Sequence, residues 1–444
     1  MENKTLLTDL YQLTMNAAYH DNHKDGTATF DLFIRSLPKD WGYFIANGIE
    51  DAIDYITNIK FEKDDIDYLR EQGIFKEEFL EFLKDFKFEG DVYAVKEGTP
   101  VFPNEPILRI TAKRTQAQYV ETALLNMINF QTMIASKANR VVNSAGDSSA
   151  TDFGLRRAQE EDAAMKGAKA CYIAGAVGTS NVKAGKEHGI PIGGTHAHSF
   201  VMGFDTELDA FRAYVKTFPD HAVLLIDTYD TIQGAKNAAI VAKELEQKDH
   251  RLKAVRLDSG DLADLSKQVR KIFDEQGLNY IKIFASNDLN EYKIQELRAQ
   301  GAMIDSYGVG TEMITAKPVA ALPGVYKLVE DDGGAKIKLS SGKSTLPGIK
   351  QVLRFEEDGK YIGDTICLET EHVQGTPILE LAVNDGKRIR AKPSLQETRK
   401  YCLEQVAKLP DSLKQVRVNV QYPVELAPGL NNLVEDLTKK YGGR

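Results

Sequence analysis

The sequence predicts an α/β fold organised around a TIM-like barrel, and three observations predict it. Short apolar runs, each ending in small or polar residues, recur between residues 150 and 330. Amphipathic helical stretches separate them at a repeat of roughly 25–30 residues, the period of successive βα units with a parallel sheet. With the upstream candidates the count reaches about seven or eight units, enough for a barrel whose C-terminal strand ends carry chemistry.

Along the chain, residues 1–125 read as an N-terminal mixed α/β domain. "FEKDDIDYLREQGIFKEEFLEFLKDF" carries two amphipathic helices broken at Gly73. "GDVYAVKEGTPVFPNEPILRIT" alternates apolar and polar residues around prolines, a pattern of strands and hairpin-like turns. Gln116 to Asn139 form the longest helix pattern in the chain and lead into the barrel, residues 126–335. The barrel strands are expected in "SSATDFGLRRA", "KACYIAGAVGTSN", "PIGGTHAHSFV", "HAVLLIDTYDT", "LKAVRLDSGDL", "YIKIFASNDL" and "MIDSYGVGTE". Residues 336–444 form a C-terminal α+β segment that opens with a β-hairpin pattern and is expected to pack back on the first domain.

Composition excludes several classes of function. A net charge of −9 without a basic run argues against nucleic-acid binding. The N-terminus has charges and no continuous apolar stretch, so neither a signal peptide nor a membrane span of ~18 apolar residues is expected. Three widely spaced cysteines, none in a CxxC pair, fit reduced thiols in a cytoplasm.

Candidate chemistry lies at the strand ends. His196 and His198 in "PIGGTHAHSFV" are two apart, and on a strand they would share a face. A metal site built on that pair would depend on Asp227 and Asp258, because the other histidines fall before their strands or outside the barrel. A histidine acting as nucleophile, acid or base is the better-supported functional alternative. "LDSGDL", "ASNDL" and "YGVGTEM" place small residues before helix starts, which suits phosphate; Asp261 is positioned to cap its helix. In "DFGLRRA", Phe153 can stack on a flat ligand while Arg156 or Arg157 holds an anion. "SSGKST" (340–345) lacks the earlier glycine of a P-loop and precedes a strand pattern, so it is not a Walker motif.

Seven motifs in order resemble nicotinate phosphoribosyltransferases: "LLTDLYQLTM", "DFGLRRA", "GTSNVKAG", "GTHAHSFV", "VRLDSGDL", "FASNDL" and "YGVGTEMITA". The resemblance implies a type II phosphoribosyltransferase architecture, an irregular open α/β barrel packed on an N-terminal mixed domain. It implies synthesis of nicotinate mononucleotide from nicotinate and phosphoribosyl pyrophosphate, coupled to ATP, with Mg²⁺ and a homodimer sharing its active sites. His198 falls at the family's phosphorylated histidine. Asp258 falls at the carboxylate near the ribose hydroxyls, with Arg256 beside the same substrate. Phe153 and Tyr11 fall at the two aromatics around the pyridine ring, Tyr11 donated across the dimer, and Arg156 faces the pyridine carboxylate. Ser286, Asn287, Gly310 and Thr311 fall in the loops whose backbone N–H groups hold the 5-phosphate. Ser180 stands where a nicotinamide-using relative has an aspartate, so nicotinate is expected over nicotinamide, and the motif set also disfavours quinolinate. A metal-dependent barrel hydrolase and a phosphometabolite-binding regulator are the alternatives.

Overall fold

Four of the apolar runs form the strands Val223–Leu225, Ala254–Leu257, Lys282–Ala285 and Ser306–Val309, and Ser149–Asp152 adds a fifth. The computed structural model describes residues 3–340 and 344–442. The five strands pair in parallel, with Ser149–Asp152 at one end, then Ser306–Val309, Lys282–Ala285, Ala254–Leu257 and Val223–Leu225. Single parallel bridges from Asp152 to Thr179 and from Thr179 to Ile192 extend the first edge. Among the described residues no strand joins Ile192 to Val223–Leu225, so the sheet stays open.

Side-chain caps start the helices that follow three of these strands. Asp230 accepts from the Gln233 amide, Asp261 from Ala263 and Asp264, and Asn290 from Tyr292 and Lys293. Each cap satisfies amides that the first helical turn leaves without partners. The helices, Thr231–Glu246, Leu262–Glu275 and Glu291–Ala299, bury one stripe each.

Two expected strands are corrected. Lys169–Ile173 of "KACYIAGAVGTSN" is the end of the helix Glu160–Ile173, and only Thr179 of that stretch bridges. A short apolar run does not distinguish helix from strand, and here it continues the small-residue helix before it. "PIGGTHAHSFV" contributes only the Ile192 bridge, and His198–Met202 is a helical turn. His196 and His198 are therefore not strand neighbours on one face.

The chain divides into two compact units, residues 134–320 and residues 1–133 with 321–444. The second of these contains a seven-stranded sheet with Thr27–Ile34 between Gly324–Asp331 and Leu108–Lys113. Residues 324–331 were expected with the barrel, but their alternating strand pairs antiparallel with Thr27–Ile34. Asp91–Ala94 and Glu380–Asn384 continue that sheet, which joins N- and C-terminal segments in one core. The helices Lys63–Glu71 and Glu77–Lys84 flank Gly73, which adopts the positive φ of +66° that glycine tolerates. Inside this unit Asp31 and Lys350, both buried, pair at 2.9 Å. The "SSGKST" stretch includes residues 341–343, outside the described residues. Among the described residues no helix is long and apolar enough to cross a membrane.

Candidate active site

Arg256, at the end of its strand, gathers the site. Its Nε donates to Ser286 Oγ at 2.7 Å, Nη1 to Thr195 Oγ1 at 3.0 Å, and Nη2 to Asp258 Oδ1 at 2.7 Å. The Ser286 hydroxyl donates to the same Asp258 oxygen. Two strand ends and the loop after Ile192 are thus locked around one guanidinium, whose planar fork favours such multiple contacts. Arg256 is only 14% exposed, so its charge acts in a partly dry setting.

His198 stands opposite. Its Nε2 is 3.8 Å from Asp258 Oδ2, and its Nδ1 lies 3.1 Å from Thr228 Oγ1. The side chain is 39% exposed, open enough to meet a substrate. Asp227, just before Thr228, accepts from the Asp258 amide at 2.8 Å and the Ser259 hydroxyl at 2.6 Å, both through Oδ2. Its other oxygen, Oδ1, is buried without a hydrogen-bond partner.

The side expected to bind a flat ring is built on the neighbouring strands. Phe153 follows Ser149–Asp152, its amide donating to Val309 O at 2.9 Å. Its ring lies 5.3 Å from Phe284, and the Arg256 guanidinium sits 5.8 Å from its centroid. Gly308 permits this packing: a Cβ there would lie 2.9 Å from Phe153 Cδ2 and 2.7 Å from Phe284 Cζ. A cavity of about 660 Å³ has Phe153, Phe284 and Thr195 in its wall, but it reaches the strand starts Ser149, Val223, Ala254, Lys282 and Ser306, and His198, Arg256, Asp258 and Ser286 do not line it. Asp152 underlies the motif. It accepts from the Gly154 amide at 2.8 Å and the Thr179 hydroxyl at 2.7 Å, and burial raises its pKa. The Ser180 amide donates to Asp152 O at 2.8 Å, which fixes Ser180 next to the Phe153 segment. Arg156 lies exposed on the single turn Leu155–Arg157.

The loops expected to hold phosphate follow the strands Lys282–Ala285 and Ser306–Val309. Asn287 and Asp288 adopt φ of +87° and +44°, an abrupt turn at the strand end. Gly310 leads into the short helix Thr311–Ile314. The Ser286 amide, expected in a phosphate-holding loop, donates to Leu257 O at 2.9 Å, and the hydroxyl donates to Asp258 Oδ1. Tyr11 belongs to the other unit, on the helix Leu10–Asp21. It is 46% exposed beside the exposed Leu7 and Leu10.

Sequence reasoning missed Thr195, Thr228 and the supporting role of Asp227. Each sits inside a stretch already singled out, at a strand end or one residue beyond a carboxylate, but a threonine there carries no signal by itself. The histidine pair does not chelate. His196 is buried and turns its Nε2 to the Leu225 amide at 3.2 Å.

Sequence models of the nicotinate phosphoribosyltransferase (NAPRTase) family match the chain in three parts. The N-terminal domain matches residues 6–129, the family domain 148–323 and the C-terminal domain 372–434. A nicotinate phosphoribosyltransferase of Mycobacterium tuberculosis is 44% identical over 424 residues, 95% of this chain and 91% of the relative. The chain belongs to the nicotinate phosphoribosyltransferase family. The Bacillus subtilis nicotinate phosphoribosyltransferase is 42% identical over 456 residues, 95% of this chain and 93% of its own. The crystal structure of human nicotinic acid phosphoribosyltransferase superposes with a TM-score of 0.86 at 27% identity, covering 97% of this chain and 99% of that one. The family inferred from the seven motifs is the family found, and the mixed α/β architecture with its open sheet is the fold of that relative.

Proposed function

We propose that the protein makes nicotinate mononucleotide and pyrophosphate from nicotinate and 5-phosphoribosyl 1-pyrophosphate, coupled to hydrolysis of ATP to ADP and phosphate. This is the first step of NAD salvage from nicotinate. The observation that carries the reading is the cluster of Arg256 and Asp258 at one strand end, Ser286 at the next and His198 on its helical turn, in a chain of this family.

In the coupling step His198 takes the ATP γ-phosphoryl group: a nitrogen–phosphorus bond forms as the bond to the ADP oxygen breaks, and water later releases phosphate. In the transfer step the pyridine nitrogen attacks the anomeric carbon and pyrophosphate leaves. Asp258 holds the ribose hydroxyls in position for that attack, and Arg256 balances the charge of the phosphorylated sugar. Asn287, Gly310 and Thr311 hold the 5-phosphate through backbone amides, and Ser286, whose hydroxyl joins Arg256 to Asp258, begins the first of these loops. Phe153 stacks on the pyridine, Arg156 faces its carboxylate, and Tyr11 of the partner subunit covers the other face in a homodimer with shared sites. Ser180 offers a donor to the carboxylate and no repelling charge, which favours nicotinate.

Mg²⁺ fits this donor set, because it binds through one or two carboxylates plus substrate phosphates, and Asp227 has a buried oxygen without a hydrogen-bond partner. Asp227 and Asp258 would hold it, and it would neutralise the pyrophosphate leaving group. A cytoplasmic setting is consistent with Cys171, Cys367 and Cys402 as free buried thiols.

The test offers nicotinate, nicotinamide and quinolinate side by side with phosphoribosyl pyrophosphate, Mg²⁺ and ATP, and measures each mononucleotide and ADP. The expected result is product from nicotinate alone, with ADP formed alongside. Turnover of nicotinamide in preference, or synthesis without ATP consumption or stimulation, would overturn the corresponding half of the reading.

A further inference from the structure

His196 has no role in the chemistry described, yet it is buried at the gap of an open sheet. Val223–Leu225 is an edge strand, paired on one side with Ala254–Leu257. On that side the Ile226 amide donates to Arg256 O at 3.2 Å. The Leu225 amide points the other way, where a closed barrel would supply the next strand. A buried backbone N–H needs an acceptor. His196 Nε2 provides it at 3.2 Å.

We propose that His196 is a positioning residue: its imidazole takes the place of the missing strand and clasps the loop that carries His198 to the Val223–Leu225 edge. Two residues on, His198 Nδ1 meets Thr228 Oγ1 at 3.1 Å, so the loop is pinned twice to one segment. Without the first pin, His198 depends on its own side-chain contact and on Thr195, three residues back, whose Oγ1 accepts from Arg256 Nη1 at 3.0 Å. The first fixes the backbone from which it projects toward Asp258. Aromatic rings hold the clasp in register. Tyr214 meets His196 edge-on at 4.8 Å, with Phe200 at 5.3 Å and Phe211 at 6.2 Å. An accepting Nε2 requires the neutral ring with its proton on Nδ1, which faces Ala197 O at 3.4 Å. The environment favours that neutral form, because burial lowers the His196 pKa and the charges of Arg256 and His198 lower it further.

The consequence for catalysis rests on the reading of His198 as phosphoryl carrier, so the test separates the two. His196→Leu keeps an apolar side chain among the aromatic rings but has no acceptor, whereas His196→Gln can place an amide oxygen where Nε2 stands. Three quantities are measured: ATP-dependent labelling of His198, nicotinate KM, and deuterium exchange in the peptide containing Leu225. In His196→Leu, labelling is expected to slow by about tenfold or more, as for a misplaced reacting group, with nicotinate KM little changed and faster exchange at Leu225. His196→Gln is expected to restore both labelling and protection. Wild-type labelling in His196→Leu, or no recovery in His196→Gln, overturns the proposal. Nitrogen-15 spectra of the unmodified protein give a check that needs no variant: a proton on His196 Nε2 would overturn it. If the wild type takes up no phosphate at all, the phosphoryl-carrier reading falls, and the clasp is then judged on Leu225 exchange alone.

Discussion

Single side chains at this site have separable duties. If His198 carries the phosphoryl group, His198→Ala removes the nucleophile and leaves the strand-end loops intact. It is expected to abolish ATP hydrolysis and acid-labile phosphate uptake while slow ATP-independent transfer persists; labelled ATP and a product assay read both, and retained label would refute the assignment. Asp258→Ala removes the acceptor shared by Arg256 and Ser286. Nicotinate mononucleotide synthesis should fall by about 100-fold or more, since substrate alignment is lost, while Tm drops only as far as the loss of one acceptor for Arg256 and Ser286 requires. A near-normal kcat/KM would show that Asp258 does not hold the ribose. His196 gives a pH dependence whose sign follows from its lowered pKa. As pH falls below the ordinary imidazole value of about 6.5, the unfolded chain takes up the proton first and stability declines. The decline continues until pH reaches the lowered folded value, with Arg256, His198 and the Tyr214 phenol as the titratable or charged groups around the ring. His196→Gln should flatten that part of a stability–pH curve measured by denaturant unfolding.

At the level of elements, the strand Ser306–Val309 shows how backbone and site are matched. Gly308 lies where two aromatic rings approach the backbone. Gly308→Ala would push Phe153 or Phe284 aside, an overpacking strain of about 1–3 kcal/mol. The expected outcome is a lower Tm and a several-fold higher nicotinate KM, with His198 labelling close to wild type. Calorimetry and steady-state kinetics distinguish this from general damage, which would lower labelling in proportion. The capped helices after the strands do a related job. Asp230, Asp261 and Asn290 set where each helix begins and so where each strand-end loop stops.

For the whole molecule the question is whether one chain makes one site. Tyr11 lies in the unit formed by residues 1–133 and 321–444, on a helix whose first turn exposes Leu10 and Tyr11. If it completes the pyridine site of a partner, Tyr11→Ala weakens nicotinate binding, since ring stacking contributes roughly 0.5–1.5 kcal/mol beyond area burial. Histidine phosphorylation should persist. Mixing Tyr11→Ala with His198→Ala subunits should then recover part of the lost activity, because a heterodimer carries one site with both lesions and one with neither. No recovery after demonstrated subunit exchange would mean that Tyr11 does not act across subunits.

The sequence by itself determined the elements whose cause is local. Apolar runs predicted the four strands from Val223 to Val309, the first three followed by capped amphipathic helices, and the motifs supplied Arg256, Asp258 and Ser286 at strand ends and His198 ahead of them. A strand's period and a helix's cap depend on residues within one turn of each other, so they can be read along the chain. Lys169–Ile173 marks the limit of that reading, because a short run with four apolar residues satisfies helix and strand alike. Tertiary structure alone decided which elements are neighbours. It set Ser149–Asp152 beside Ser306–Val309, placed residues 324–331 against Thr27–Ile34, and gathered Thr195, Asp258 and Ser286 around one guanidinium. It also separated the two histidines, turning His196 inward to a strand edge and leaving His198 open to substrate. Those choices depend on which distant N–H and C=O groups find partners once the core is closed, and no local pattern in the chain encodes that.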